Sequence, residues 1–211
     1  HEHENSRYLP KFKLSENLTA STDMLKVAQD KEFLILASPS LYLASTVSQL
    51  LDVPSIKDGS TCIGVLTKGF VPSDKGPRLI LETLEEVLPP VYAKSLVYIS
   101  GPSHAEEVAM GKLTGLIAAS ENPMNSIRFR ELLRVRGLMV YSSLDVVGVQ
   151  ICAAAKNVIA VVFGSLDAVA ETSDLFGDNA EQFLHDEDFA EFAEYEESLS
   201  EDDAEFLKSM M

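Results

Sequence analysis

The chain has 211 residues, of which 46% are hydrophobic, and it carries a formal net charge of −16. Residues 1–170 hold 18 acidic and 16 basic side chains, whereas residues 171–211 hold 15 acidic side chains and one lysine. This composition predicts a sizeable folded domain with an acidic C-terminal stretch, and it argues against a nucleic-acid-binding protein, which needs a basic surface.

The cysteines, the most apolar stretch and the N-terminal sequence indicate where such a protein is located. Cys62 and Cys152 are far apart and form no CxxC or CxxH pair, so we expect two reduced, packing cysteines. The most apolar stretch, residues 146–170, has the length of a membrane span but carries Gln150, Lys156 and Asn157 in its middle. Burying such groups in lipid costs several kcal/mol, so we expect no span. Without a visible N-terminal signal pattern, we expect a cytoplasmic protein.

Helical and strand patterns alternate along the chain. Residues 1–10 are polar and end at Pro10, which predicts a loop. In chain order we then predict helix 21–30, strand 33–37, helix 41–51, strand 61–66, helix 78–88, strand 96–100, helix 103–110, strand 113–119, helix 126–135, strand 138–142 and helix 146–170. Ser21 or Thr22 would cap the first helix, and Ser103 with Glu106 has the spacing of a capping box.

This alternation predicts the fold class. Strands that are apolar throughout and separated by helices indicate an α/β domain with a mostly parallel sheet, buried on both faces. We place that domain at residues 1–143. Helix 146–170 then starts a helical part at 144–180, and residues 181–211 form an acidic tail.

Three small polar turns follow predicted strands. They are Ser38-Pro39-Ser40, Thr67-Lys68-Gly69 and Ser100-Gly101-Pro102-Ser103. Ligands of open α/β sheets bind outside the carboxyl ends of the strands, so these turns predict a site. Lys68 would meet an anion there, or is a surface lysine in a turn. Gly101 would let a ligand approach the backbone, and the helix start at 103–105 is either an anion site or an ordinary capped end.

The helix at 146–170 is unusual because it is apolar yet carries polar residues along one side. Gln150, Asn157 and Gly164 share one face, and Lys156 lies about 100° around from Asn157. The helix is either a core helix whose lysine reaches solvent, or an element that delivers Lys156 into a site. Lys68, Lys156 and a helix N-terminus would together suit a small phosphorylated anion. The chain contains neither G-x-G-x-x-G nor a P-loop motif.

Five segments carry a resemblance to a known family: HENSRYLP at 3–10, SPS at 38–40, TKG at 67–69, SGPSHAEEVAMG at 100–111 and DVVGVQICAAAKNVIAVVFG at 145–164. Their order and spacing resemble those of the bacterial-type NAD(P)-dependent glycerol-3-phosphate dehydrogenases, from about residue 4 to residue 179. The resemblance implies a Rossmann-like NAD(P)-binding domain, incomplete at its N-terminus, followed by the start of an all-helical domain. It also implies NADH- or NADPH-dependent interconversion of dihydroxyacetone phosphate and sn-glycerol 3-phosphate, for glycerophospholipid synthesis.

The resemblance also assigns roles by position. Lys156 resembles the residue that exchanges the substrate proton, and Lys68 a second active-site lysine that touches substrate and cofactor. Removing water from around a lysine in such a role lowers its pKa and permits proton exchange near neutral pH. Gly101, Ser103 and Asn157 match substrate-binding positions. Pro39, Ser40 and Ala105, with Lys68, match cofactor-binding positions. The resemblance implies a small phosphorylated substrate, a homodimer and no metal.

Departures from the family leave other interpretations open. The chain has no Gly-rich turn ahead of HENSRYLP, and after Asn179 it continues with AEQFLHDEDF, without the arginine of the family pattern. We therefore expect residues 181–211 to be unlike the family and the isolated chain to be inactive. The alternatives are a non-catalytic α/β module with an acidic partner-binding tail, and a related dehydrogenase acting on another 2-hydroxy acid.

Overall fold

The computed structural model describes residues 3–74 and 76–172, with the backbone alone for Asn157 and for residues 166–172. The chain divides into two compact units after Lys156. The strands are β1 (Glu4–Asn5), β2 (Leu9–Lys13), β3 (Phe33–Leu36), β4 (Cys62–Val65), β5 (Val97–Ser100), β6 (Thr114–Ala119) and β7 (Leu138–Ser143). The helices are α1 (Met24–Ala28), α2 (Ser40–Ser48), α3 (Pro54–Lys57), α4 (Ile80–Val87), α5 (Ala105–Ala109), α6 (Pro123–Leu133) and α7 (Val146–Thr172), with a 3₁₀ turn at Pro90–Tyr92.

The main sheet has five strands in the order β3-β4-β5-β6-β7. β3, β4 and β5 run parallel, β6 pairs antiparallel with β5, and β7 runs parallel to β6. The predicted α/β class with a mostly parallel sheet is confirmed. The reversal at β6 was not predicted, because the length of the segment between two strands does not fix whether the chain crosses over or turns back.

The central strands β4 and β5 are buried along their whole length, as uninterrupted apolar runs require. One face of the sheet carries the larger core, to which α2, α4 and the start of α7 contribute Leu43, Leu84 and Val146. The other face carries a smaller core centred on Phe129 of α6. Phe129 meets Phe33 edge to face, with ring centroids 5.3 Å apart.

One buried amide fixes α7 against α4. Gln150 is only 2% exposed, and its Oε1 accepts a hydrogen bond from the backbone N–H of Leu81 at 3.0 Å. Its Nε2 donates to the Val146 carbonyl at 3.2 Å. The residue before α4, Leu79, provides no side-chain cap. Gln150 therefore satisfies one of the first-turn amides of α4 that a local cap would otherwise satisfy.

Several local predictions are wrong, for identifiable reasons. A loop was predicted over residues 1–10, but Glu4–Asn5 and Leu9–Lys13 form the antiparallel pair β1–β2. The apolar and polar residues of Leu9–Lys13 alternate too weakly for this strand to be recognised from the sequence. Asp23, and not Ser21 or Thr22, caps α1 by accepting from the Lys26 amide at 3.1 Å. α6 begins at Pro123 behind the cap Asn122, three residues before the predicted start. The short elements Pro54–Lys57 and Pro90–Tyr92 were not predicted.

Of the two interpretations of helix 146–170, the core helix fits only its first turns. Val146, Val149 and Ala153 pack on the core, whereas the large apolar side chains from Val158 to Phe163 are 52–69% exposed. Cys152 is exposed as well, so only Cys62 is a packing cysteine, and both thiols are free. An apolar pattern indicates side chains that favour burial, but within the described residues no other element packs on the turns of α7 after Lys156.

No single helix among the described residues is both long and apolar enough to cross a membrane. The segments Val146–Lys156 and Val158–Ser165 meet the length and composition criteria only when taken together.

Candidate functional site

The three predicted turns lie next to one another at one edge of the sheet. β3, β4 and β5 are parallel neighbours, so the segments that follow them leave the sheet on the same side. Two of these segments are joined directly, because the Thr67 hydroxyl donates to the Ser38 carbonyl at 2.7 Å. Thr67 is buried and immediately precedes Lys68. The structure therefore anchors the backbone from which Lys68 extends.

The structure brings the two predicted site lysines close enough to interact. The pKa of Lys68 is lowered, first by partial removal of water around its ammonium and second by the positive charge of Lys156. Both lysines are exposed in the described chain. Two neighbouring ammonium groups repel each other, and a bound anion would relieve that repulsion.

Lys156 lines a cavity of about 400 Å³ between the end of β5 and the first turns of α7. Most of its wall is apolar. Its lining residues are Ser100, Gly101, Pro102, Ile117, Asp145, Gly148, Val149, Cys152, Ala153 and Lys156. α7 therefore brings Lys156 to a cavity at the predicted edge of the sheet, which supports the second interpretation of this helix.

Gly101 lines this cavity, but its lack of a side chain has a different cause from the one predicted. A Cβ at this position would overlap the backbone carbonyl of Gly115, and it would lie 3.0 Å from the Leu116 Cα. Glycine is therefore required because β5 and β6 approach closely here. Any contact between Gly101 and a ligand would be made by its remaining backbone atoms.

The predicted anion site at residues 103–105 differs from expectation. His104 is the N-cap of α5, and neither it nor Ser103 makes a side-chain capping bond, so the capping box is absent. The Ser103 amide instead bonds the Gly101 carbonyl at 2.9 Å. Ala105 is the exposed first residue of α5, and Glu106 and Glu107 follow it in the first turn. These carboxylates oppose the attraction of a short helix for an anion.

The remaining predicted residues lie at the same edge or outside the described side chains. Pro39 precedes α2 and Ser40 is its first residue. No side chain caps this helix, and the Tyr42 amide of its first turn donates to the Pro39 carbonyl at 2.9 Å. The backbone of Asn157 is helical, but its side chain lies outside the described part of the structure. Residues 181–211, the predicted acidic tail, also lie outside it.

Sequence reasoning missed three residues of this region as candidates in their own right: Thr67, Ser100 and Cys152. Thr67 and Ser100 belong to the predicted turns, but only Lys68, Gly101 and the helix start at 103–105 were proposed to contact a ligand from position alone. Cys152 lies four residues before Lys156, so helical spacing alone places it on the same side of α7. Among the described residues there is no group of three or more His, Cys, Asp or Glu side chains arranged to hold a metal ion.

Comparison with known proteins identifies the family. A model described as NAD-dependent glycerol-3-phosphate dehydrogenase N-terminus matches residues 1–126, and the corresponding C-terminus model matches residues 145–211. The chain belongs to this dehydrogenase family. The resemblance drawn from the sequence motifs is confirmed. The second match includes residues 181–211, whose boundary as a separate tail stays a prediction.

Individual relatives agree with the family match. The glycerol-3-phosphate dehydrogenase (NAD(P)+) of Treponema denticola is 60% identical over 189 residues, covering 87% of this chain and 53% of the relative. That of Bacillus subtilis is 34% identical over 191 residues, covering 90% of this chain and 52% of the relative. The chain thus spans about half the length of the curated relatives it matches.

A solved structure shows the same fold. The crystal structure of glycerol-3-phosphate dehydrogenase from Coxiella burnetii matches with a TM-score of 0.69 and 28% identity, covering 82% of this chain and 50% of that one. The family is NAD(P)-dependent, and the cavity suits part of such a cofactor, since it combines an apolar wall with the buried hydroxyl of Ser100.

Proposed function

We propose that this chain forms part of the active site of a dehydrogenase that interconverts dihydroxyacetone phosphate and sn-glycerol 3-phosphate. The observation that carries this proposal is the arrival of Lys68 and Lys156 at one edge of the sheet, close enough for their charges to interact. Two neighbouring ammonium groups suit a small substrate that bears a phosphate.

The reaction needs a group that moves a proton at the C2 oxygen of the substrate. Lys156 would accept that proton during oxidation of glycerol 3-phosphate and return it to the oxygen in the reverse direction. Lys68 would place a second positive charge beside the same substrate, which stabilises negative charge on the oxygen. NAD(P)+, when bound, supplies the acceptor of the hydride from C2.

Other residues would position the ligands. Pro39, Ser40, Lys68 and Ala105 would contact the cofactor, and Gly101, Ser103 and Asn157 the substrate. Support comes from their position: the described members of this set lie at or beside the carboxyl ends of β3, β4 and β5. A homodimer, a cytoplasmic location and a role in glycerophospholipid synthesis are predictions from the family resemblance.

Protection from an amine reagent tests the substrate site on the chain itself. The chain is treated with formaldehyde and cyanoborohydride with and without glycerol 3-phosphate, and methylation of each lysine is measured by mass spectrometry. We expect slower methylation of Lys68 and Lys156, because a bound phosphate holds both ammonium groups. Lys57 and Lys94, which lie away from this edge, serve as internal controls, and glycerol serves as the control ligand. Equal rates at Lys68 and Lys156 with and without glycerol 3-phosphate would contradict the proposal.

A second measurement tests the role of Lys156 in turnover. In a polypeptide that carries this sequence at the length of its relatives, Lys156→Ala should lower kcat by a factor on the order of 10²–10⁴, as loss of acid–base catalysis does. A loss below tenfold would remove Lys156 from that role.

A further inference from the structure

Ser100 differs from the other buried serine, threonine and glutamine side chains of the described structure. Thr61, Thr67 and Ser126 each donate to a backbone carbonyl at 2.7 Å, and Thr114 does so at 3.1 Å. Ser120 accepts from the Asn122 amide at 3.2 Å, and Gln150 makes the two bonds described above. Ser100 is 8% exposed, yet its hydroxyl has no hydrogen-bond partner among the described residues. Buried hydroxyls rarely lack a partner, so this one needs an explanation.

The Ser100 hydroxyl opens onto the 400 Å³ cavity. Two other unpartnered hydroxyl oxygens, those of Ser38 and Tyr98, are fully occluded by protein atoms, but Ser100 Oγ is not among these occluded atoms. Ser100 is the last residue of β5 and lines the cavity together with Lys156. The remaining exposed surface of this buried residue therefore faces the cavity.

The cavity wall indicates which chemical group meets Ser100. The single serine hydroxyl is surrounded by apolar surface, which is provided by Pro102, Ile117, Val149 and Ala153. Lys156 is the last residue of α7 that lines the cavity. Asp145 also lines the cavity, but one of its carboxylate oxygens already accepts from the Gly148 amide at 2.8 Å. Such a wall is poorly suited to a phosphate, and it suits a flat, weakly polar ring with one hydrogen-bonding substituent.

We propose that Ser100 Oγ hydrogen-bonds the carboxamide of the nicotinamide ring of NAD(P), and so fixes the rotation of that ring in the cavity. This inference rests on the proposed function, because it takes the cofactor from the family. It adds a residue to the site: Ser100 is a cofactor-positioning residue distinct from the two lysines that bind the substrate.

Cys152 provides a reporter that does not require catalysis. It lines the same cavity and is exposed, whereas Cys62 is buried and its pKa is raised by that burial. A thiol reagent therefore modifies Cys152 first. Reduced nicotinamide mononucleotide, which needs no pyrophosphate-binding turn, should slow this modification in a concentration-dependent way in the 211-residue chain. Ribose 5-phosphate, which lacks the ring, is the control ligand.

The test compares variants by the concentration of reduced nicotinamide mononucleotide that halves the modification rate. Ser100→Ala should raise it by about tenfold, as loss of one hydrogen bond predicts, and Ser100→Thr should restore it because the hydroxyl is kept. Ser48→Ala, on the exposed side of α2, is the control variant and should leave it unchanged. Any protection by ribose 5-phosphate should be the same with and without Ser100→Ala.

Three results would overturn the inference. The first is that reduced nicotinamide mononucleotide does not protect Cys152 in the unmodified chain. The second is that it protects Ser100→Ala as well as it protects the unmodified chain. The third is that Ser100→Ala loses protection by ribose 5-phosphate to the same extent as protection by reduced nicotinamide mononucleotide, which would indicate a change of fold. Lysine protection by glycerol 3-phosphate is measured separately. Its persistence would show that Ser100, and not the proposed function, has failed.

Discussion

Replacing Gln150 by methionine should destabilise the chain, because this amide links α7 to α4. Methionine has a similar length and is apolar, so it can stay buried, but it cannot accept the hydrogen bond that Gln150 accepts from the Leu81 amide at 3.0 Å. Leu81 N–H lies at the buried start of a helix that has no side-chain cap. Leaving a buried donor without a partner costs about 1–3 kcal/mol. For a domain of this size each kcal/mol lowers the thermal midpoint by roughly 2–4 °C.

The chain offers a closely matched control for this substitution. Gln49 also donates through Nε2 to the carbonyl four residues earlier, that of Ser45, at 3.1 Å, but it is exposed and accepts no tertiary bond. Gln49→Met should change stability by less than about 0.5 kcal/mol, as surface substitutions usually do. Thermal and urea midpoints of both variants, followed by circular dichroism, provide the comparison. If Gln150→Met lost no more stability than Gln49→Met, the tertiary cap would not be a stabilising contact.

Two further predictions concern the sheet and the lysine pair. Gly64→Ala should destabilise the chain by about 1–3 kcal/mol, because the new Cβ would lie 2.6 Å from the Phe129 ring. Gly115→Ala is the control, because a Cβ added there would have no neighbouring atom within 4 Å. Equal urea midpoints of the two variants would refute the packing argument. Lys156→Met should raise the pKa of Lys68 only part of the way towards 10.5, because burial, the larger cause, remains. NMR titration of the Lys68 Cε resonance measures this, with Lys112→Met as control, and an unchanged pKa would show that the two charges do not interact. Since the folded chain holds the Lys68 proton less tightly than the unfolded chain, the contribution of Lys68 to stability rises with pH as the pH approaches 10.5.

Much of the fold could be predicted from hydrophobic pattern. Cys62–Val65 and Val97–Ser100 are apolar runs bounded by turn residues, and such runs become central strands because both of their faces must be covered. Helix caps were less predictable. Asp23 competes with Ser21 and Thr22 for the same helix start, and only backbone geometry decides which side chain reaches the free amides.

The site was predictable in outline but not in its contacts. The motif order placed Lys68 and Lys156 together, and the sheet order explains why the turns meet. The link between Thr67 and Ser38 joins residues 29 positions apart, and the unpartnered state of Ser100 depends on what surrounds it. Neither property is local to the sequence. For the same reason, the apolar pattern of α7 did not show which of its turns the described chain covers.

The outer side of β3 has a consequence for how this chain behaves at high concentration. β3 pairs only with β4 among the described residues, so the amide and carbonyl groups of Phe33–Leu36 on its other side face no strand there. An apolar edge of this kind is a template on which a strand of another molecule can form hydrogen bonds. The net charge of −16 opposes such encounters through long-range repulsion, which added salt screens. Added salt should therefore lower the concentration at which copies of the chain associate along this edge.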